Sequence, residues 1–367
     1  MSSRLLRTRS TGALALSAAA LLVLSACAGD NGAANSGPSA ATSAAASSTE
    51  AAGTAAASSD TTAAAEDATT NHGVAAGTTV TDMAGDEVTL PETVDAVIAT
   101  DNRAFRTLDE WGVQLAAAPV DLMFQGEGQV SYVTNEDIVN IGNHREPDME
   151  VFVTAEPDVV FNGQRFAQHK DQIAQLAPDA AVIDTQFDPE QTRLDEGLKD
   201  LTTLLGAATG HADDAAALNR DFDAAIARAK DAYSPEDTVM GLIVTGGDIS
   251  YVAPGNGRAI GPVFDILELT PAVDQTGSND HQGDDISVEA IAAANPDWLI
   301  VMDRDAATGE SEGSAAEVIE NSEALKDVTA VQEDRIVYLP VDFYVAEDIQ
   351  NYTTLFNRLA DAFASAR

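Results

Sequence analysis

Two arginines close the two copies of a repeated phrase. Met149-Glu150-Val151-Phe152-Val153-Thr154-Ala155-Glu156-Pro157-Asp158 and Val288-Glu289-Ala290-Ile291-Ala292-Ala293-Ala294-Asn295-Pro296-Asp297 each run into a short apolar strand, and each strand ends at an arginine eight residues after the proline, Arg165 and Arg304. A third, Arg258, follows Gly255-Asn256-Gly257 after the strand-like Ile249 to Ala253. Guanidinium stays charged and offers several directed donors, so such a group suits a ligand that presents anionic oxygens. In α/β lobes the ligand crevice lies beyond the carboxyl ends of the strands, which is where Arg165 and Arg304 fall. The repeat therefore predicts two similar lobes, each contributing a cation to a shared cleft. The competing expectation is that ordinary ion pairs consume these arginines, with Asp303 and Asp305 beside Arg304 as candidate partners.

The elements that would position these groups can be read along the chain. Thr79 to Pro91 alternates about Gly85 as a hairpin does. Strand-like Ala96 to Thr100, Val159 to Asn162 and Ala181 to Asp184 then alternate with helical Asn102 to Trp111, Asp148 to Ala155 and Phe166 to Leu176, the pattern of an α/β lobe. Helical segments follow at Glu190 to Leu205 and Ala212 to Tyr233; the second places Leu218, Phe222, Ala225, Ile226 and Ala229 on one stripe. A second alternating region opens at Val239 to Thr245 and closes with a helix from Glu347 to Phe363. The expected fold class is α/β: two α/β lobes joined by a long rigid helix, with the ligand cleft between them and only small closure motions.

The N-terminus reads as an export signal, with Arg4, Arg7 and Arg9 before an apolar run from Ala13 to Val23. It ends in Leu24-Ser25-Ala26-Cys27, which resembles a bacterial lipobox. Cys27 is the only cysteine, so it has no disulfide partner, and its thiol is expected to carry the lipid. Ala, Ser, Thr and Gly dominate from Ala28 to Gly77 and cannot bury enough surface to fold, so this stretch reads as a tether with a reach of roughly 40 Å. The expected organisation is a signal at 1–26, a tether at 27–77, an N-terminal lobe at 78–210, a connecting helix at 211–235 and a C-terminal lobe at 236–367.

Taken together, the lipobox, the hairpin, Ile141-Gly142-Asn143-His144-Arg145-Glu146-Pro147-Asp148, the two Pro-Asp strand entries and Arg335-Ile336-Val337-Tyr338-Leu339 resemble the helix-strut class of ABC-transporter substrate-binding lipoproteins. Within it the chain is most similar to the ferric-siderophore binders, notably the catecholate group, over residues 78–367. The resemblance implies a receptor on the outer face of the cell membrane, monomeric, which hands a ferric siderophore to an ABC permease and its ATPase and needs no cofactor. It implies an arginine triad at Arg165, Arg258 and Arg304. It also aligns His281 and Tyr344 with residues that complete iron coordination when the siderophore supplies too few donors, and imidazole and phenolate both suit ferric iron. Permease docking by one acidic residue per lobe falls on Glu150 and Glu268, with Glu289, the repeat partner of Glu150, as the rival choice. A haem or cobalamin receptor of the same class is the alternative.

Composition excludes other classes. The chain of 367 residues carries 60 Asp and Glu against 19 Lys and Arg, a net charge of -41, which repels nucleic acid. This acidity does not defeat an anion site. Unit charges about 4 Å apart attract by roughly 4 kcal/mol at an effective dielectric of 20, before desolvation, whereas acids beyond about 8 Å are largely screened at physiological salt. No His-Glu-x-x-His stretch occurs, and Gly255 to Gly261 misses a dinucleotide fingerprint by one residue, so no enzyme is expected. The five histidines are scattered, unlike a site for a bare divalent metal, and 5% aromatic content argues against a sugar platform.

Overall fold

The computed structural model describes residues 71–188, 191–273, 275–309 and 313–367. The expected leader, Cys27 and most of the expected tether lie outside the described residues. Residues 71–77, assigned to the tether by composition, are instead built into the fold. Val74 is fully buried, the Asn71 Oδ1 accepts the Val94 N–H at 3.0 Å, and the Ala75 N–H donates to the Ala208 carbonyl at 2.8 Å. The folded body thus begins no later than Asn71. One valine with a socket outweighs a run of small residues.

The hairpin forms as expected, with β1 (Thr79–Thr81) antiparallel to β2 (Glu87–Thr89). Asp82 ties its turn by accepting the N–H groups of Ala84 at 3.0 Å and Asp86 at 2.9 Å. The first sheet is parallel, in the order β5-β4-β3-β6-β7, from β3 (Val97–Ala99), β4 (Ala117–Ala118), β5 (Val139–Asn140), β6 (Val159–Asn162) and β7 (Ala181–Asp184). Helices α1 (Phe105–Glu110), α2 (Val151–Thr154) and α3 (Lys170–Leu176) lie between these strands in sequence. Strands β3 and β6 are buried along their whole length, as expected of central parallel strands covered on both faces.

Two long helices follow. Leu194–Thr209 (α4) gives Leu201, Leu204, Leu205 and Ala208 to the first lobe's core, and Gly210 closes it at φ +75°. The 21-residue α5 (Ala212–Ala232), roughly 30 Å long at 1.5 Å per residue, leads to the second sheet. Of its predicted stripe, Phe222, Ala225 and Ala229 are buried, while Leu218 and Ile226 are half-buried against the same core.

The second sheet has β8 (Thr238–Thr245) next to β11 (Trp298–Asp303), which pairs with β12 (Ile336–Tyr338), all parallel. On the other edge of β8, β9 (Asp248–Val252) runs antiparallel beside its later half, and β10 (Thr270–Pro271) runs parallel beside its start. Helices α6 (Gly261–Leu267), α7 (Val288–Ala294), α8 (Arg304–Thr308), α9 (Ala315–Glu320) and α10 (Thr329–Gln332) connect them. After the short α11 (Phe343–Ala346), α12 (Ile349–Ser365) packs along α5. Its Ile349, Tyr352, Leu355, Phe356, Leu359 and Phe363 form one buried stripe, each side chain contributing about 1.5–3 kcal/mol of burial. Phe356 meets Phe222 with ring centroids 5.7 Å apart. The fold is therefore the expected two-lobed α/β arrangement.

Candidate functional site

Each sheet reverses its direction of growth beside its first strand. In the first lobe β4 and β5 extend to one side of β3 and β6 and β7 to the other; in the second, β9 and β10 flank one edge of β8 and β11 and β12 the other. The loops beyond the carboxyl ends of strands diverge at such a switch point and leave a crevice. Arg165 follows β6 through Gly163 and Gln164, and Arg304 follows β11 directly. Gly163 is required there, because any Cβ would collide with the Thr185 hydroxyl and the Asp101 carboxylate. Asp101 is fully buried and accepts the Thr185 hydroxyl at 2.6 Å and the Arg103 N–H at 2.8 Å, so it anchors this turn. Burial pushes its pKa up despite the nearby Arg103 charge.

The arginines converge on Tyr344 in α11. The guanidinium carbons of Arg258, Arg304 and Arg165 lie 4.9, 5.1 and 5.6 Å from the Tyr344 ring centroid, within cation–π range. Arg165 also donates through Nη2 to the Tyr344 carbonyl at 3.2 Å. The cleft alongside has a volume of about 500 Å³. Arg165, Arg304, His281 and Tyr344 line it together with Arg145, His144 and Phe124, and Asp121 is the only carboxylate among its described lining residues. The His281 side chain is 42% exposed and sits 3.7 Å from an Asp280 oxygen. Arg258 takes a different place from the other two: it is absent from the lining residues and is paired with Glu347.

The competing expectation of ion pairing is therefore met in part. Glu347 accepts Arg258 Nε at 3.0 Å and lies 3.8 Å from Arg103, while Asp305 lies 3.5 Å from Arg304. Burial raises the Glu347 carboxyl, but Arg258, Arg103 and Arg165 overcome it and hold the pKa below the usual range. Burial also lowers the Arg165 pKa, and the like charge of Arg258 lowers it further. For Arg258 burial opposes the charge, yet Glu347 prevails and raises the pKa. His144 is held below its ordinary pKa first by burial and then by Arg165. The result is a cluster of cations whose charges are only partly cancelled.

Several of these residues escaped sequence reading. Arg103 and Glu347 lie in no motif, and Glu347 occupies the left-handed region at φ 51°. Gln164 at φ 46° precedes Arg165 and Ala259 at φ 59° follows Arg258, so non-glycine residues held in sparsely populated backbone conformations cluster at the site. A network beside the cleft joins the lobes: Arg106 pairs with Asp342 and with Asp348 (Nε to Oδ2, 3.0 Å), and Asn102 donates to the Val345 carbonyl at 2.8 Å. Burial pushes the Asp348 carboxyl up to about 6 even though Arg106 opposes it. His144 and Arg145 stood in the family phrase without being read as cleft residues.

The two acidic residues expected to dock a permease do not occupy matching places. Exposed Glu150 immediately precedes α2, which leads into β6, and its repeat partner Glu289 lies at the start of α7, which leads into β11. Glu268 instead ends α6 just before β10, beside Thr238 at the start of β8, and pairs with Lys230 at 2.9 Å. Arg304 follows the other end of that sheet, roughly 20 Å away along the strand. Glu150 and Glu289 are the symmetric pair in this structure.

Comparison with known proteins fits this architecture. The chain is 25% identical over 253 residues to the petrobactin-binding protein YclQ of Bacillus subtilis, covering 68% of this chain and 76% of the relative. It is 26% identical over 246 residues to the ferric-anguibactin-binding protein FatB of Vibrio anguillarum, covering 67% and 74%. The crystal structure of YclQ superposes with a TM-score of 0.64 at 22% identity, over 78% of this chain and 98% of that one. The catecholate-siderophore binding protein VctP of Vibrio cholerae gives 0.62 at 20%, over 78% and 99%, and supports the fold. The sequence profile described as periplasmic binding protein matches residues 97–342, more than half of the chain, and the protein belongs to that family.

Proposed function

We propose that this protein is the substrate-binding component of an ABC importer, capturing an anionic ferric siderophore and delivering it to a membrane permease and its ATPase. One observation carries this reading: the guanidinium groups of both repeat copies, Arg165 and Arg304, face one cleft together with Arg145, against a single described carboxylate. In a chain with net charge -41 such a local excess of cations selects an anion. A ferric catecholate has that character, with deprotonated oxygens that accept directed guanidinium hydrogen bonds. The names of the two sequence relatives, binders of petrobactin and of ferric anguibactin, support the same ligand class.

His281 and Tyr344 both line the cleft, and His281 stands where an open iron coordination position could be filled. Glu150 and Glu289 are the proposed docking pair. No chemical step is required of these residues, and the protein acts as a binder and not as an enzyme. Leu24-Ser25-Ala26-Cys27 supports anchoring of a monomer through Cys27 at the extracytoplasmic face of the membrane. Among the described residues no helix is long and apolar enough to cross a membrane.

Titration calorimetry with a panel of ferric catecholate, ferric hydroxamate, ferric citrate and haem tests the reading. Calorimetry suits the protein because both tryptophans, Trp111 and Trp298, stand outside the cleft lining. Tight binding of the ferric catecholate and weak or no binding of the neutral hydroxamate is the expected outcome. Preference for the hydroxamate, or an intense Soret shift with haem, would contradict it.

A further inference from the structure

Three like charges gathered in one place need something that holds them there in the empty protein. Arg258 has Glu347, and Arg304 has Asp305 3.5 Å away. The feature common to all three arginines is the Tyr344 ring, at 4.9–5.6 Å from each guanidinium carbon. They reach it from three separate segments of chain, after β6, after β9 and after β11. Tyr344 is only 5% exposed and therefore meets the cations in a largely desolvated place, where a ring face attracts a cation most strongly. Its position is itself fixed from both lobes. Arg165 donates to its carbonyl, the Asn102 amide donates to the carbonyl of the next residue, Val345, and Phe343 is fully buried.

We propose that Tyr344 is the positioning residue of the anion site: its ring gathers Arg165, Arg258 and Arg304 into a binding-ready array before any ligand arrives. Preorganisation of this kind strengthens binding because the side chains need no further ordering when the ligand enters. Two properties follow. The aromatic ring is the requirement, so a phenylalanine at 344 keeps the array gathered, whereas an aliphatic side chain of similar bulk does not. The role also exists in the ligand-free protein and can be observed there. The inference rests on the proposed anion-capture function for its purpose, but its first readout needs no ligand.

The test compares wild type, Tyr344→Phe and Tyr344→Leu, each as the full mature chain and each checked for folding by thermal unfolding. With arginine labelled in ¹⁵N, the side-chain Nε–Hε resonances of Arg165, Arg258 and Arg304 report the ring current of residue 344. Wild type and Tyr344→Phe are expected to keep these three signals displaced, and Tyr344→Leu to move all three. Unmoved signals in Tyr344→Leu would overturn the proposal. The second readout is affinity for a ferric tris-catecholate. Tyr344→Phe is expected within about threefold of wild type and Tyr344→Leu at least about tenfold weaker. If Tyr344→Phe weakens binding as much as Tyr344→Leu, the ring is not the requirement and the proposal fails. If wild type binds no ferric chelate while the resonances behave as expected, the functional reading fails and the positioning role stands.

Discussion

Glu347→Gln separates the energetic roles of the charges at the site. The carboxylate is 9% exposed, accepts Arg258 Nε at 3.0 Å and lies 3.8 Å from Arg103. Removing one partner of a buried pair costs about 3–5 kcal/mol, because the remaining charge is left uncompensated. Glutamine retains the bond from Arg258 to a neutral oxygen, so the expected loss is about 2–3 kcal/mol. For a folded body of this size that corresponds to a drop of roughly 3–5 °C in the Tm of the ligand-free protein. The pH dependence carries the sharper signature. The folded-state pKa of Glu347 lies below its unfolded value, so its stabilising contribution is complete above pH 4.5 and is lost as pH falls through the folded value. The Tm gap between wild type and variant should therefore be full at pH 7 and close under acid, where the wild-type carboxyl itself becomes neutral. Thermal unfolding followed by circular dichroism from pH 7 to pH 3 measures it. A gap absent at pH 7, or one that persists undiminished at pH 3, would refute the reasoning.

Asp348 should behave in the opposite sense. Its folded pKa is raised to about 6, so its contribution to stability is present below the unfolded value of 3.8 and is lost as pH rises through about 6. A ¹³C titration of side-chain carboxyls should show one aspartate titrating near pH 6, and that signal should vanish in Asp348→Asn. For docking, Glu150→Lys and Glu289→Lys should each slow iron delivery in cells without weakening chelate binding by the isolated protein, since rim charges govern registration and on-rate. Glu268→Lys should leave delivery unchanged, because that residue belongs to the other end of the sheet; equal defects from all three would oppose the assignment.

Much of the architecture was legible because parallel strands buried on both faces leave continuous apolar runs. Val159–Asn162 and Ala181–Asp184 coincide with their strands residue for residue. Phe222, Ala225 and Ala229 marked the buried face of the long helix by spacing alone. The two-residue strands Ala117–Ala118 and Val139–Asn140 left no such trace, since pairing with a neighbour and not local pattern defines them. The switch-point arginines were readable because duplication wrote them twice. Glu347 and Arg103 were not: their meaning arises from contacts across 244 positions of sequence, and a glutamate at φ 51° follows no propensity. The place of Glu268 at the opposite end of its sheet from Arg304 was not legible either, because position relative to the strand ends is a tertiary property.

The central claim is that Arg165 and Arg304, one from each lobe, hold an anionic ferric chelate between them. Its most direct test is the affinity of Arg165→Gln, Arg304→Gln and the double variant for a ferric tris-catecholate, measured by calorimetry at physiological salt with folding verified by thermal unfolding. Each charge-assisted contact contributes about 1.5–3 kcal/mol, so each single change should weaken binding by about 10- to 150-fold, and the double variant should lose measurable binding. Wild-type affinity in a folded double variant would contradict the account and leave the matched arginines as a trace of duplication.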